Sequence, residues 1–126
     1  MLWYLEIPYR MTANPRMVFL VGFMGAGKTS VGLVLSRHLG WEFQDVDDLI
    51  ESRTGQTIDQ IFRERGEANF RAAEREAVRA VLNGAESRSC VLALGGGAFA
   101  ETETASLLTE SGYPIIFLDA PVEELW

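Results

Sequence analysis

The chain has 126 residues, 48% of them hydrophobic and 23% charged, the proportions of one globular domain with a single core. Its formal net charge of −7, with no basic stripe, excludes a nucleic-acid partner held through phosphate contacts, and no apolar run approaches the ~20 residues of a membrane span. The single cysteine, Cys90, allows no internal disulfide and fits a reducing, cytoplasmic setting.

In chain order, residues 1–16 mix Trp3, Leu5 and Ile7 with Glu6, Pro8 and Arg10, and so lack the continuous apolar block of a secretory signal. They are expected to be a poorly ordered leader, with Met11 and Met17 as alternative starts, ahead of a domain over residues 17–126. Met17 to Val21 is a short apolar run that reads as a buried parallel strand. It leads into Gly22-Phe23-Met24-Gly25-Ala26-Gly27-Lys28-Thr29, a complete G-x-x-x-x-G-K-S/T phosphate loop. A helix follows, with Val31, Val34, Leu35 and Leu39 as its apolar stripe and Gly40 as its stop.

A second strand is predicted over Trp41 to Asp45, then a helix from Asp47 to Thr54 stopped by Gly55. Thr57 and Gln60 have capping-box spacing and open a helix with Ile58, Ile61 and Phe62 on one face, which Gly66 breaks. A longer helix follows, with Phe70, Ala73, Ala77, Val78 and Val81 inward, to Asn83-Gly84. The third strand, Cys90 to Leu94, runs straight into Gly95-Gly96-Gly97. A helix over Thr102 to Glu110, a fourth strand over Ile115 to Asp119 and a helix begun at Pro121 complete the pattern. Alternation of this kind implies a parallel sheet with helices on both faces, a three-layer α/β/α fold. Ligands of such sheets bind beyond the carboxyl ends of the strands, where the phosphate loop, the Asp45/Asp47 pair and the glycine run all converge.

Each part of that rim has its own chemistry. The loop glycines let backbone N–H groups turn onto phosphate oxygens, Lys28 reaches the β- and γ-phosphates, and the Thr29 hydroxyl suits Mg²⁺. Gly22, Gly25, Ala26, Gly27, Lys28, Thr29 and Ser30 are therefore the candidate nucleotide site, with ATP as co-substrate. Asp45 and Asp47, two apart in an extended chain, would share a face. One could hold Mg²⁺ through water while the other accepts a proton from an attacking hydroxyl; the alternative is that both cap the following helix. Gly95, Gly96 and Gly97 carry an entropic cost that fits close backbone approach to a substrate, or else a flexible turn. Arg71 has the fork that suits a carboxylate, although nothing in its spacing singles it out. Phe62, Phe70 and Trp41 read as core, and His38 as a group at a helix end.

Taken together, the phosphate loop, Phe43-Gln44-Asp45-Val46-Asp47, Ile50-Glu51, Arg53-Thr54-Gly55, Ile61-Phe62, Gly66-Glu67, Phe70-Arg71 with Glu74, and Leu94-Gly95-Gly96-Gly97 resemble the shikimate kinase family. That family belongs to the P-loop kinases of the nucleoside-monophosphate-kinase type, and the resemblance covers about Met17 to Trp126. It implies transfer of the γ-phosphate of ATP to the 3-hydroxyl of shikimate, on the route to chorismate and the aromatic amino acids, by a monomer. By resemblance, Lys28 and the loop hold the phosphates, Thr29 and Asp45 serve the metal, and Asp47 binds the reacting hydroxyl as base. Arg71 grips the shikimate carboxylate, and Gly95, Gly96 and Gly97 line the pocket.

The family continues with an arginine-bearing lid, a second carboxylate-binding arginine, an adenine-contacting loop, a last edge strand and a closing helix, which are expected to be missing here. The last basic residue is Arg88, while Glu101, Glu103, Glu110, Asp119, Glu123 and Glu124 follow it. Loss of an arginine acting on the transferring phosphoryl costs about 10³–10⁵ in rate, so weak or absent turnover is expected of the 126-residue form. Two other readings fit the same motifs: a catalytically dead module binding nucleotide or shikimate, and another small-molecule P-loop kinase of the gluconate-kinase type.

Overall fold

The structure is a computed structural model describing residues 3–6, 16–23, 26–84 and 88–118, of which 3–6 are described as backbone only. Its centre is a strand that must be apolar throughout. Met17–Gly22 (β2, after an N-terminal β1 at Trp3–Glu6) is buried along its whole length. It lies between two parallel neighbours, β4 (Cys90–Gly95) and β5 (Ile115–Leu118), with β3 (Glu42–Asp45) beyond β4. The sheet order is β1-β5-β2-β4-β3. Because side chains alternate along a strand, β2 and β4 feed two cores at once.

Met17, Phe19, Val21, Cys90, Leu92 and Leu94 point to the face covered by α2 (Val46–Thr54), α3 (Ile58–Asn83) and α5 (Thr102–Glu110). Leu20, Val91, Ala93 and Leu118 point to the face covered by α1 (Lys28–Leu39), where Val31 and Leu35 pack on them. The three-layer α/β/α arrangement expected from the sequence is therefore present, with four parallel strands.

Local signals set the helix ends. Thr57 accepts the N–H of Gln60 while the Gln60 side chain accepts the N–H of Thr57, a reciprocal capping box. Gly40 and Gly55 end α1 and α2 in the left-handed region, at φ 71° in both cases. Gly66, at φ 82° and ψ 172°, is non-helical and divides α3 at a kink into two helical stretches, the break expected there. The apolar stripe of α1 holds at Val31 and Leu35 and is corrected elsewhere. Its buried positions are Gly32 and Ser36, whereas Val34 (54% exposed) and Leu39 lie open. A side chain at position 32 would run into the Phe43 ring, so α1 approaches the sheet through its glycine.

Two expectations concern the ends of the chain. Within the leader, Trp3–Glu6 forms β1, antiparallel to β5 from Trp3↔Leu118 to Glu6↔Ile115. It takes the outer edge of β5. The helix expected at Pro121 and the end of the fourth strand at Asp119 lie outside the described residues. Between β4 and α5, the glycine run opens a single-turn helix, α4 (Gly96–Ala100), instead of a loop.

The Gly32–Phe43 contact gives a test of packing against propensity. Alanine at a helical glycine gains about 1 kcal/mol, but overpacking costs about 1–3 kcal/mol. Gly32→Ala is expected to lower stability in urea melts, and the second change Phe43→Leu to recover part of the loss.

Candidate functional site at the carboxyl rim of the sheet

Strand β2 delivers Gly22 to the rim, where a Cβ would come within 2.7 Å of the Leu118 carbonyl oxygen, so the loop leaves the sheet through a space only glycine fits. The loop returns with Ala26 buried, its N–H donating to the Phe23 carbonyl at 3.0 Å. Gly27 follows at φ 91°, in the left-handed region, as the N-cap of α1. Gly25 and Met24 lie outside the described residues. No side chain caps α1 and no acidic residue sits in its first turn, which leaves first-turn amides at Lys28, Thr29 and Ser30 for an anion. Thr29 and Ser30 are exposed. Lys28 is half-buried and its ammonium donates to the Gly22 carbonyl at 2.5 Å. Desolvation lowers its pKa, and the carboxylates of Asp45 and Asp47 act against that.

Strand β3 ends at Asp45, whose Oδ1 accepts the Asp47 N–H at 2.8 Å as the N-cap of α2. The two aspartates therefore do not share a face of one strand: Asp45 closes the strand and Asp47 lies in the first turn of the helix. Capping occupies one Asp45 oxygen, Oδ1, and does not use the other. Partial desolvation raises the Asp47 pKa, the neighbouring Asp45 charge raises it further, and Lys28 acts in the opposite sense. That places Lys28, Asp45 and Asp47 in one electrostatic cluster.

Helix α3 supplies Arg71. Its Nη1 donates to Glu74 Oε1 at 3.0 Å, its Nε lies 3.9 Å from Glu67, and its guanidinium stands 5.1 Å from the centroid of the Phe70 ring. The remaining end faces the glycine run: a Cβ at Gly97 would come 2.5 Å from Arg71 Nη2. At Gly96 it would come 2.7 Å from the Phe23 ring, itself 70% exposed. Close approach thus accounts for Gly96 and Gly97. It does not account for Gly95, where a Cβ would meet nothing within 4 Å and where φ is an ordinary −69°.

Three further residues belong to this neighbourhood. Glu74, 2% exposed, anchors Arg71; burial raises its pKa, the Arg71 bond lowers it, and Asp47 raises it again. The i,i+3 spacing of Arg71 and Glu74 was the available signal. Phe62, expected in the core, is 41% exposed, with its ring 4.7 Å from that of Phe70. Phe23, inside the phosphate loop, lies against Gly96. Among the described residues no cluster of three or more His, Cys, Asp or Glu could hold a metal alone, and no helix is long and apolar enough to cross a membrane.

A strand–glycine loop–helix unit with an invited anion at the helix start, on a parallel sheet covered on both faces, defines a P-loop fold of the kinase type. Comparison with known proteins makes this narrower. The shikimate kinase family model matches residues 24–126, and the chain belongs to that family. It is 39% identical to a shikimate kinase of Chlorobium chlorochromatii over 115 residues, 91% of this chain and 58% of that protein. Against a Francisella tularensis subsp. novicida shikimate kinase it is 44% identical over 107 residues, 85% of this chain and 59% of the relative. The solved shikimate kinase of Acinetobacter baumannii in complex with shikimate superposes with a TM-score of 0.77 at 40% identity, covering 88% of this chain and 59% of that one. The chain thus spans under two thirds of the length of these relatives.

The Arg71–Glu74 pair can be tested without any ligand. Removing Arg71 leaves a buried carboxylate unpartnered, which is costly. Because the folded-state pKa of Glu74 lies above its ordinary 4.5, its effect on stability is absent in acid and grows unfavourable as pH rises past that value. Arg71→Ala is expected to lose stability progressively above pH 4.5, and adding Glu74→Gln to flatten that loss in melts recorded across pH.

Proposed function

We propose that this rim carries out ATP-dependent phosphorylation of the 3-hydroxyl of shikimate, giving shikimate 3-phosphate, in the cytoplasm and as a monomer. The observation that carries the reading is the approach of Arg71 to Gly97 on the same rim as Lys28, Asp45 and Asp47. It provides an anchored guanidinium for a carboxylate beside a phosphate-binding helix start. Family membership supports the substrate, as does the A. baumannii relative, which binds shikimate.

In this reading the amides around Gly22, Gly25, Ala26, Gly27 and Ser30 cradle the phosphates. Lys28 leaves the Gly22 carbonyl to engage the β- and γ-oxygens. The Thr29 hydroxyl and the second oxygen of Asp45 fit Mg²⁺, which binds through one or two carboxylates with substrate phosphates completing its shell. When bound, the metal spreads the charge of the transferring group. Arg71 holds the shikimate carboxylate, with Gly96 and Gly97 admitting the ring and Gly95 joining them to the strand. Asp47 accepts the proton of the attacking hydroxyl, and its raised pKa brings it closer to that task than an ordinary carboxylate. Phe62 and Phe70 form an apolar wall beside Arg71.

The test is shikimate-dependent ADP release, measured in a chain extended at its carboxyl end to include an arginine-bearing lid, beside calorimetry of both ligands on the 126-residue form. Lys28→Met is expected to abolish release, and Asp47→Asn to lower kcat about 10²–10⁴-fold with the fold intact. Gly97→Ala, which displaces the Arg71 guanidinium, should raise KM for shikimate more than for ATP. ADP release indifferent to shikimate, or Asp47→Asn with unchanged kcat, would overturn the assignment.

A further inference from the structure

The opposite end of the sheet holds a cavity of about 220 Å³. Glu42 and Cys90, the first residues of β3 and β4, line it, so it faces the amino ends of the strands, away from the phosphate loop. Its inner wall is apolar: Leu49 from α2, and Ala77 and Val81 from α3. Its mouth is polar and unevenly charged. Arg88 Nη2 donates to both oxygens of Glu42 at 2.6 Å, so that pair is internally neutral. Arg53, in the last turn of α2, also lines the mouth, and its side chain has no ion pair or hydrogen bond among the described residues. In a chain of net charge −7, Arg53 is therefore the one charge lining this recess, among the described residues, that has no opposite partner.

Two more polar groups sit within it. The Cys90 thiol is 4% exposed and donates weakly to Gln44 Oε1 at 3.7 Å. Burial holds the thiol pKa up at about 11, so Cys90 stays protonated at neutral pH and a ligand here meets no nucleophile. That bond engages the Gln44 oxygen and leaves its amide NH₂ as a donor towards the cavity. Donors of this kind beside an apolar wall are the combination that recognises an amphiphilic acid. The volume is below that of drug-sized pockets, which suits a small ligand.

We propose that this cavity is a second ligand site, separate from the phosphate-loop rim, for a small organic anion whose carboxylate meets Arg53 and Gln44 and whose apolar body lies between Leu49 and Val81. The same two helices carry Asp47 and Arg71, so the occupant would be wedged between elements that also shape the rim.

The inference rests on the fold and not on the reading of the rim, and its test requires no turnover. Benzoate is titrated into the 126-residue chain while the methyl resonances of Leu49, Ala77, Ala80 and Val81 are followed by NMR. Benzamide serves as a neutral probe of the same shape. Saturable shifts at these methyls with benzoate are expected, with benzamide binding at least about tenfold more weakly. Arg53→Gln, an exposed change that leaves the core intact, should weaken benzoate by a similar factor, and Ala80→Leu should block it by filling the mouth. No saturable shift with benzoate would overturn the proposal, as would equal binding of benzamide or binding indifferent to Arg53→Gln. Shifts confined to the Lys28 and Arg71 rim would overturn it too.

Discussion

The parallel pairing of β2 with β4 is the constraint on which the site depends. Its register runs from Met17↔Cys90 to Gly22↔Gly95, so the phosphate loop and the glycine run leave the sheet side by side at the same height. That is why Phe23 lies over Gly96. The next strand continues the alignment, with Asp45 opposite Ala93, two residues before Gly95, so the acidic pair begins near the same level. A slip of one residue would turn every inward side chain of a strand to the opposite face. Here both faces are packed, with Phe19 and Leu92 towards one core and Leu20 and Ala93 towards the other. The hydrophobic alternation that stabilises the sheet therefore also fixes the chemical groups relative to one another.

Much of this was legible because it is local. The phosphate loop, the Thr57–Gln60 capping box and the glycine stops at Gly40 and Gly55 each depend on residues within a few positions. Family membership was likewise legible from an ordered set of short motifs. What the sequence hid is long-range. Val34 and Leu39 were misassigned to the α1 stripe because the helix approaches the sheet through Gly32 against Phe43, flanked by Val31 and Leu35, so a small residue marks the inward face beside large ones. The pairing of β1 with β5 joins segments more than 100 positions apart, and neither hydropathy nor turn residues announce it. Phe62 has the periodicity of a core residue, yet it is its neighbour Ile61 that is buried, while Phe62 lies open against the Phe70 ring.

The glycine run shows the same limit at finer scale. Composition alone treats Gly95, Gly96 and Gly97 alike, whereas the structure gives them different reasons. Gly96 makes room for the Phe23 ring and Gly97 for the Arg71 guanidinium. Gly95 is the last residue of β4 with open space before it. Two of the three glycines are thus set by side chains arriving from elsewhere, the loop and α3, and those arrivals have no signature within the run itself.

Charge is the remaining problem for a rim proposed to gather anions. The chain is acidic, its single lysine is Lys28, and Asp45, Asp47 and Glu74 are electrostatically coupled at this rim. Arg71 is largely committed to Glu74, a pairing that holds the guanidinium in place but offsets its charge. Lys28 likewise faces two carboxylates. Side-chain charge alone therefore does not favour a triphosphate beside a carboxylate. The uncapped amides at the start of α1 add fixed positive dipoles that no aspartate neutralises. A divalent cation between Asp45 and the phosphates would turn the acidic pair from a repulsive feature into a ligand set. In the proposed reaction that third charge would act with the α1 amides to offset the acidic groups, so the metal proposal and the phosphoryl-transfer proposal depend on each other.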